Sequence, residues 1–258
     1  MGTKMNINEI IAEVDARLKI GEDTKAESRL MEAIVQCTES EPDNLVGQSV
    51  LLNELGGFYR ARGVYDKGET AYLKAKALLE ELQSHVFFVA DEPPSGCCAC
   101  AEGARRTETV LTNHTKTQNY ATTLNNLAGL YRMAGDPQKA AETFDAAIAV
   151  YEDCEGEVAP DHLASVYSNK GLMSLDLKDP AAARPMFLKA KAILEVGGVY
   201  PFALGTTISN LGFAAIMERK YAEAAEHFDK AKILFESCGA GDMAQNCVNL
   251  LAKLGMRK

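Results

Sequence analysis

Several signatures of other protein classes are missing from this sequence. No stretch of about 18 apolar residues occurs, so we expect no membrane span. The first ten residues lack the apolar core of a signal peptide, which predicts a cytoplasmic protein. Phosphate loops and the HExxH and GxSxG motifs are absent, and the four histidines do not pair at metal or catalytic spacing. We therefore expect no enzyme active site, no catalytic residue and no bound cofactor.

A concentrated basic surface is missing as well. The 258 residues include 36 acidic and 27 basic side chains, a net charge of −9, and the acidic ones are spread along the chain. Nucleic-acid binding needs clustered cations to displace counterions from phosphates, so we expect no nucleic-acid partner. The seven cysteines form an odd set without a secretory signal, which indicates reduced thiols.

What the sequence does contain is a repeat of small and aromatic residues. In each copy an alanine follows an aromatic residue by three positions and a small residue by seven; a leucine replaces the aromatic residue in the first copy. Another small residue lies nineteen positions before the alanine in the last four copies. The alanines are Ala33, Ala75, Ala147, Ala190 and Ala231, and the earlier small residues are Gly56, Ala128, Gly171 and Gly212. The alanines are 42, 72, 43 and 41 residues apart, so the long step is one period plus about 30 inserted residues.

Each copy of the repeat is predicted to be two helices joined by a short turn. Asp136 and Asp179 stand at N-cap positions, and each is followed by a proline at the first helical position. Small residues in both helices allow an antiparallel pair to approach closely, and we expect the aromatic residue to fill the space between neighbouring pairs. Units of this kind stack into arrays.

This spacing resembles the tetratricopeptide repeat. The period near 42 residues and the phrases LNNLAGLYR (124–132) and APDHLASVYSNKG (159–171) resemble its kinesin-light-chain-like subclass. The resemblance covers residues 7–82 and 118–256, and it implies an all-α, right-handed superhelical solenoid of antiparallel helix pairs. The predicted segments are a degenerate pair at 1–46, pairs at 47–82, 118–154, 161–197 and 203–238, a capping helix at 242–258, and a cysteine-containing insertion loop at 83–117.

Asparagine recurs in the first helix of the pairs, two positions before the small residue. The series comprises Asn126, Asn169 and Asn210, with Asn249 in the terminal helix; the second pair has Glu54 there, although its Asn53 matches Asn125. The resemblance implies that the first helices line a concave groove, where a carboxamide donates to and accepts from an extended peptide backbone. The alternative is that these asparagines brace neighbouring helices.

Two arginines occupy equivalent places on either side of the insertion. Arg60 and Arg132 each lie four positions after the small residue of their helix. One interpretation is that they pair with a carboxylate of a bound segment and favour acidic partners. The other is that they are solvated arginines on a helix face.

The insertion holds three cysteines, Cys97, Cys98 and Cys100, with a CxxC spacing between the first and the last. Two thiolates at that spacing can hold zinc, but the second ligand pair of a zinc site is missing. The strand–helix context of a redox CxxC motif is missing too. We therefore expect a flexible loop without metal; a metal or redox site and an intermolecular disulfide are the alternatives.

Taken together, these features favour a non-enzymatic scaffold that binds an extended segment of a protein or peptide partner in the groove of the first helices. Two other functions stay open. One is a metal- or redox-responsive regulator that uses the Cys97–Cys100 insertion. The other is a structural protein whose repeats assemble into homo-oligomers.

Overall fold

The computed structural model describes residues 5–90, 99–153, 159–198 and 200–255, with side chains except at 83–90 and 99–116. These residues form eleven α-helices and no strand. The helices are α1 (Ile7–Lys19), α2 (Asp23–Ser40), α3 (Leu45–Ala61), α4 (Tyr65–Ala90), α5 (Ala99–Ala134), α6 (Pro137–Glu152), α7 (Pro160–Asp176), α8 (Pro180–Gly197), α9 (Pro201–Met217), α10 (Tyr221–Ser237) and α11 (Gly241–Gly255). The chain divides into two compact units, residues 1–156 (unit 1) and residues 157–258 (unit 2).

Consecutive helices pack as hairpins. The pairs are α1–α2, α3–α4 and α5–α6 in unit 1, and α7–α8 and α9–α10 in unit 2, where α11 packs on α10. The turn inside each pair has one residue with a positive φ, a glycine in unit 1 but Lys178 and Arg219 in unit 2. A backbone N–H then reaches back five residues, as from Lys220 to the carbonyl of Ala215 at 2.8 Å. This helix ending satisfies carbonyls that would otherwise have no partner.

The predicted N-caps are confirmed. The side chain of Asp136 accepts from the backbone N–H of Lys139 at 3.1 Å, and that of Asp179 accepts from Ala182 at 2.9 Å. A proline follows each cap at the start of α6 and α8. These caps begin the second helix of two pairs at the expected residues.

The small and aromatic residues of the repeat are packed against each other. The glycine of the first helix lies under the ring of the second helix in the same pair, so a Cβ at the glycine would stand 2.5–2.8 Å from a ring carbon. This differs from the expectation that the ring fills the space between neighbouring pairs. Without a Cβ the glycine leaves a depression that the ring enters, and each of these rings is fully buried. The contacts are Gly56–Tyr72, Gly171–Phe187 and Gly212–Phe228.

In unit 1, tyrosines connect each pair to the one before it. The hydroxyl of Tyr59 in α3 donates to Glu27 in α2 at 2.6 Å, and that of Tyr131 in α5 donates to Glu69 in α4 at 2.8 Å. Both tyrosines lie three positions after the small residue of their helix. Burial and then the bond to Glu27 raise the pKa of Tyr59 to about 12, so this hydroxyl stays a donor at neutral pH.

The structure differs from the prediction for the insertion. Helix α4 continues to Ala90, as expected if the run HVFFVA (85–90) extends the helix, but α5 already begins at Ala99, so residues 99–117 of the segment predicted as a loop have a helical backbone. The physical reason is visible in the sequence, because residues 104–128 contain no proline and no glycine that would end a helix. Cys97 and Cys98 lie outside the described residues.

Candidate binding surface on the first helices

In unit 1 the asparagines connect α3 to α5. The amide nitrogen of Asn53 donates to the carbonyl of Ser49 at 3.0 Å and to Thr123 Oγ1 at 2.8 Å. The amide nitrogen of Asn126 donates to Asn53 Oδ1 at 3.4 Å. Thr123 is fully buried, so its hydroxyl depends on these partners. For this pair of asparagines the contacts favour bracing of neighbouring helices, and a role in peptide binding stays a prediction.

Arg60 takes part in the same connection. Its Nη1 donates to the backbone carbonyl of Asn126 at 3.3 Å. Gly129 makes room for it, because a Cβ at that position would lie 3.0 Å from the same nitrogen. Arg132 is half-buried in the last turn of α5. An acidic partner for these arginines stays a prediction.

In α3, Glu54 takes the place that asparagine holds in α5, α7 and α9. Solvent reaches this side chain, yet neighbouring helices crowd it, and partial desolvation raises its pKa, with repulsion from Asp15 adding to the effect. The fully buried Tyr72 lies below, and its hydroxyl has no hydrogen-bond partner among the described residues. Burial raises the pKa of Tyr72 to about 12.

Unit 2 connects its first helices through hydroxyls instead. Ser168 Oγ in α7 and Thr207 Oγ1 in α9 are 3.1 Å apart, and both side chains are buried. The two braces follow one rule of register. In each brace, a residue three positions before the small residue of one first helix (Asn53 or Ser168) contacts a residue of the next first helix. That second residue lies five positions before its own small residue (Thr123 or Thr207). Sequence reasoning missed this rule, although short polar residues at both positions were a visible signal.

A cavity of about 290 Å³ lies between α7 and α9. It brings together Asn169 and Asn210, two members of the predicted series. Asn210 is only 7% exposed, and its amide nitrogen has no hydrogen-bond partner among the described residues. The cavity is lined by Asp161, Ala164, Ser165, Ser168, Asn169, Leu172, Leu194, Phe202, Ala203, Thr206, Thr207 and Asn210.

Asp161 also lines this cavity and holds a second unsatisfied atom. Its Oδ1 is buried and has no hydrogen-bond partner in the described part of the chain. A buried polar atom without a partner costs about 1–3 kcal/mol, and more when it is charged. Two residues of the lining, Asn210 and Asp161, therefore carry a buried donor and a buried acceptor without a partner among the described residues. The sequence prediction did not include Asp161.

The next cavity along unit 2 is a copy of the first. It measures about 340 Å³ and is lined by α9, α10 and α11. Five of its lining residues lie 41 positions after lining residues of the α7–α9 cavity: Ser209, Phe213, Phe235, Met243 and Cys247. Asn249 also lines it, exposed and accepting at 3.2 Å from Gln245 Nε2. The cavity thus recurs with the period of the repeat.

The described residues hold no group of three or more histidine, cysteine or acidic side chains that could bind a metal ion. The cysteines considered as alternative metal ligands cannot be compared with this result, because Cys97, Cys98 and the side chain of Cys100 lie outside those residues. Cys37 and Cys247 are free, buried thiols, and burial raises the pKa of each. A raised pKa keeps a thiol protonated and unreactive.

One segment of the chain matches a known repeat family. The profile of the tetratricopeptide repeat family matches residues 121–162, which include the end of α5 and all of α6. This segment is thus similar to one tetratricopeptide repeat. No curated protein matches its sequence.

Solved structures resemble this chain along most of its length. The BtubC (BKLC) structure from P. vanneervenii is 22% identical, with a TM-score of 0.65 over 90% of this chain and 81% of that one. The kinesin-light-chain TPR-like repeats from Podosopora anserina are 11% identical, with a TM-score of 0.58 over 90% and 96% of the two chains. A STAND protein with a tetratricopeptide repeat sensor from Pyrococcus horikoshii is 13% identical, with a TM-score of 0.63 over 95% of this chain but 32% of that one.

These likenesses confirm the fold, an all-α solenoid of tetratricopeptide-type helix pairs, and the resemblance to kinesin-light-chain-like repeats. Repeats of this type generally mediate protein–protein interactions and are generally non-catalytic scaffolds. Within the described ranges no helix has the length and apolarity needed to cross a membrane.

Proposed function

We propose that this repeat protein is a non-enzymatic interaction module that binds an extended segment of a protein partner along the first helices of unit 2. The observation that carries the proposal is that Asn210 lines the α7–α9 cavity, while its amide nitrogen is buried and has no hydrogen-bond partner among the described residues. A backbone carbonyl of a bound segment satisfies this donor. Asn169 lines the same cavity and Asn249 the next one, so the predicted asparagines of unit 2 share the binding surface.

The energetics are sufficient for reversible binding. One hydrogen bond contributes about 0.5–1.5 kcal/mol net, and Asn210 adds relief of its unsatisfied state. Apolar lining residues such as Leu172 and Phe202 contribute by burying side chains of the segment, at roughly 25 cal/mol per Å². Together these terms support micromolar affinity, which corresponds to about −8 kcal/mol.

Site-specific photo-cross-linking tests the proposal. The photoreactive residue p-benzoylphenylalanine is placed at Thr206, which lines the cavity, and separately at Ile233, which is 57% exposed on α10. From a lysate, we expect cross-links from position 206 to converge on one linear segment of one partner, and position 233 not to reach that segment. Equal cross-linking from both positions would contradict binding at the cavity.

A matched pair of variants then tests the donor. Asn210→Asp keeps the shape of the side chain but replaces the N–H donor with an oxygen, and Asn125→Asp makes the same change in unit 1. A synthetic peptide of the cross-linked segment should bind Asn210→Asp about tenfold more weakly than wild type, and Asn125→Asp unchanged. If Asn210→Asp loses stability but not affinity, its role is structural.

A further inference from the structure

We infer that the α7–α9 cavity selects a basic residue in the bound segment, a lysine or an arginine whose charged head lies against Asp161. This inference rests on the proposed function and adds the chemistry of the partner. It is opposite in sign to the acidic partner that Arg60 and Arg132 suggest from the sequence.

The charge of the cavity supports a basic occupant. Among the described residues that line it, Asp161 is the only charged one. Its Oδ1 is buried and has no hydrogen-bond partner among the residues that the structure describes, and the N-terminal end of α7 favours a carboxylate at this position. An ammonium or guanidinium group supplies the missing donor as a charge-assisted hydrogen bond. A carboxylate in the same place would be repelled.

The shape of the cavity fits the rest of such a side chain. Ala164, Leu194 and Phe202 provide apolar surface between the polar groups. The methylenes of lysine and arginine pack on apolar surface while their charged ends reach a polar group. A short neutral side chain leaves the acceptor of Asp161 unsatisfied, so it is bound less well.

The register of the two helices sets the length of the ligand. The contact between Ser168 and Thr207 places these residues at the same level. Asp161 lies seven residues before the first and Asn210 three residues after the second, so the two unsatisfied groups are about 15 Å apart along the parallel helices. A small molecule with one amine and one carboxylate cannot reach both, whereas an extended segment can.

The same distance predicts a spacing within the segment. The side chains of an extended segment stand roughly perpendicular to its axis, so the backbone spans most of the distance of about 15 Å. At about 3.3–3.6 Å per residue, this corresponds to about four residues of extended chain. The basic residue is therefore expected about four positions from the residue whose carbonyl accepts from Asn210.

Selection of random peptides tests the inference without knowledge of the natural partner. A library of random dodecapeptides displayed on phage is selected on immobilised wild-type protein, on Asp161→Asn and on Asp242→Asn. Asp242 is the matched control because it is the second residue of α11, as Asp161 is of α7, and it lines neither cavity. Circular dichroism first establishes that all three proteins are folded.

We expect wild type and Asp242→Asn to enrich peptides with lysine or arginine at one fixed position, and Asp161→Asn to lose that preference. One enriched peptide is then synthesised with its basic residue and with norleucine in its place. Fluorescence anisotropy should show the norleucine peptide about tenfold weaker on wild type, and the two peptides equal on Asp161→Asn.

The outcomes separate the two proposals. Enrichment without a basic preference, or a basic preference that survives in Asp161→Asn, overturns the selection of a cation while peptide binding stands. If no peptide is enriched on any of the folded proteins, the proposed function itself fails, and the inference fails with it.

Discussion

Two adjacent glycines in α3 allow a direct test of the close packing between helices. A Cβ at Gly56 would lie 2.6 Å from Tyr72 Cε1, whereas a Cβ at Gly57 would have only the Tyr72 hydroxyl near it, at 3.7 Å. Ordinary contacts between carbon atoms are about 3.5–4 Å. The alanine methyl at position 56 therefore has to displace a fully buried ring by about 1 Å, and the methyl at position 57 displaces nothing.

The expected energies follow from these distances. Alanine is preferred over glycine inside a helix by up to about 1 kcal/mol, and this gain applies to both variants. Overpacking a core costs about 1–3 kcal/mol and applies only to Gly56→Ala. We expect Gly56→Ala to lower the free energy of unfolding by about 1–2 kcal/mol, and Gly57→Ala to raise it slightly.

Urea denaturation followed by far-UV circular dichroism measures both variants against wild type. Because the helix-propensity gain is common to the two, the difference between them isolates the steric cost. Two further variants, Tyr72→Leu alone and Gly56→Ala with Tyr72→Leu, remove the ring that the methyl meets, and the double-mutant cycle should give a coupling energy of about 1 kcal/mol or more. If Gly56→Ala is as stable as Gly57→Ala, the contact between the Tyr72 ring and the backbone of Gly56 does not require a glycine, and the steric argument is wrong.

Two further predictions concern the braces and the charges. Asn53→Ala removes a donor from buried Thr123 and should lower the free energy of unfolding by about 1–2 kcal/mol; an unchanged urea midpoint would show that the brace is dispensable. In unit 2, Arg184 donates to both oxygens of Glu218, at 2.6 and 3.1 Å, and its bonds hold the pKa of that carboxyl at about 2. The pKa of Glu218 in the folded protein lies below its value of 4.5 in the unfolded chain. The ion pair therefore stabilises the fold above pH 4.5, and this stabilisation is lost as the pH falls toward 2. Stability measured across that range should fall less steeply in Arg184→Met than in wild type, and parallel curves would refute the coupling.

Much of the fold could be read from the sequence because its determinants are local. Asp136 and Asp179 cap helices through backbone groups three residues away, so the spacing of aspartate and proline was sufficient to place α6 and α8. The alternation of small and aromatic residues predicted helix pairs. The insertion was predicted as a loop because of its cysteines and prolines, although the run after Gly103 is compatible with a helix.

The roles of the asparagines could not be assigned in this way. Helical phase places Asn126 and Asn210 at the same position of their helices, yet their contacts differ. Asn126 contacts Asn53, whereas Asn210 lines a cavity and its amide nitrogen has no hydrogen-bond partner among the described residues. The difference depends on the neighbouring helix. Asn53 and Ser168 occupy equivalent positions, but the first has a carboxamide side chain and the second a hydroxyl. Asn53 contacts Asn126, whereas the shorter Ser168 contacts Thr207 and no second asparagine among the described residues.

The sequence by itself determined the repeat and the starts of α6 and α8, because these depend on residues a few positions away or one repeat away along the chain. Only the tertiary structure decided which polar groups are satisfied and which are not. That distinction depends on the register between first helices about 40 residues apart, where a shift of one residue moves a side chain about 1.5 Å along the axis and 100° around it. Asp161 and Asn210 belong to one binding surface because the contact between Ser168 and Thr207 sets that register.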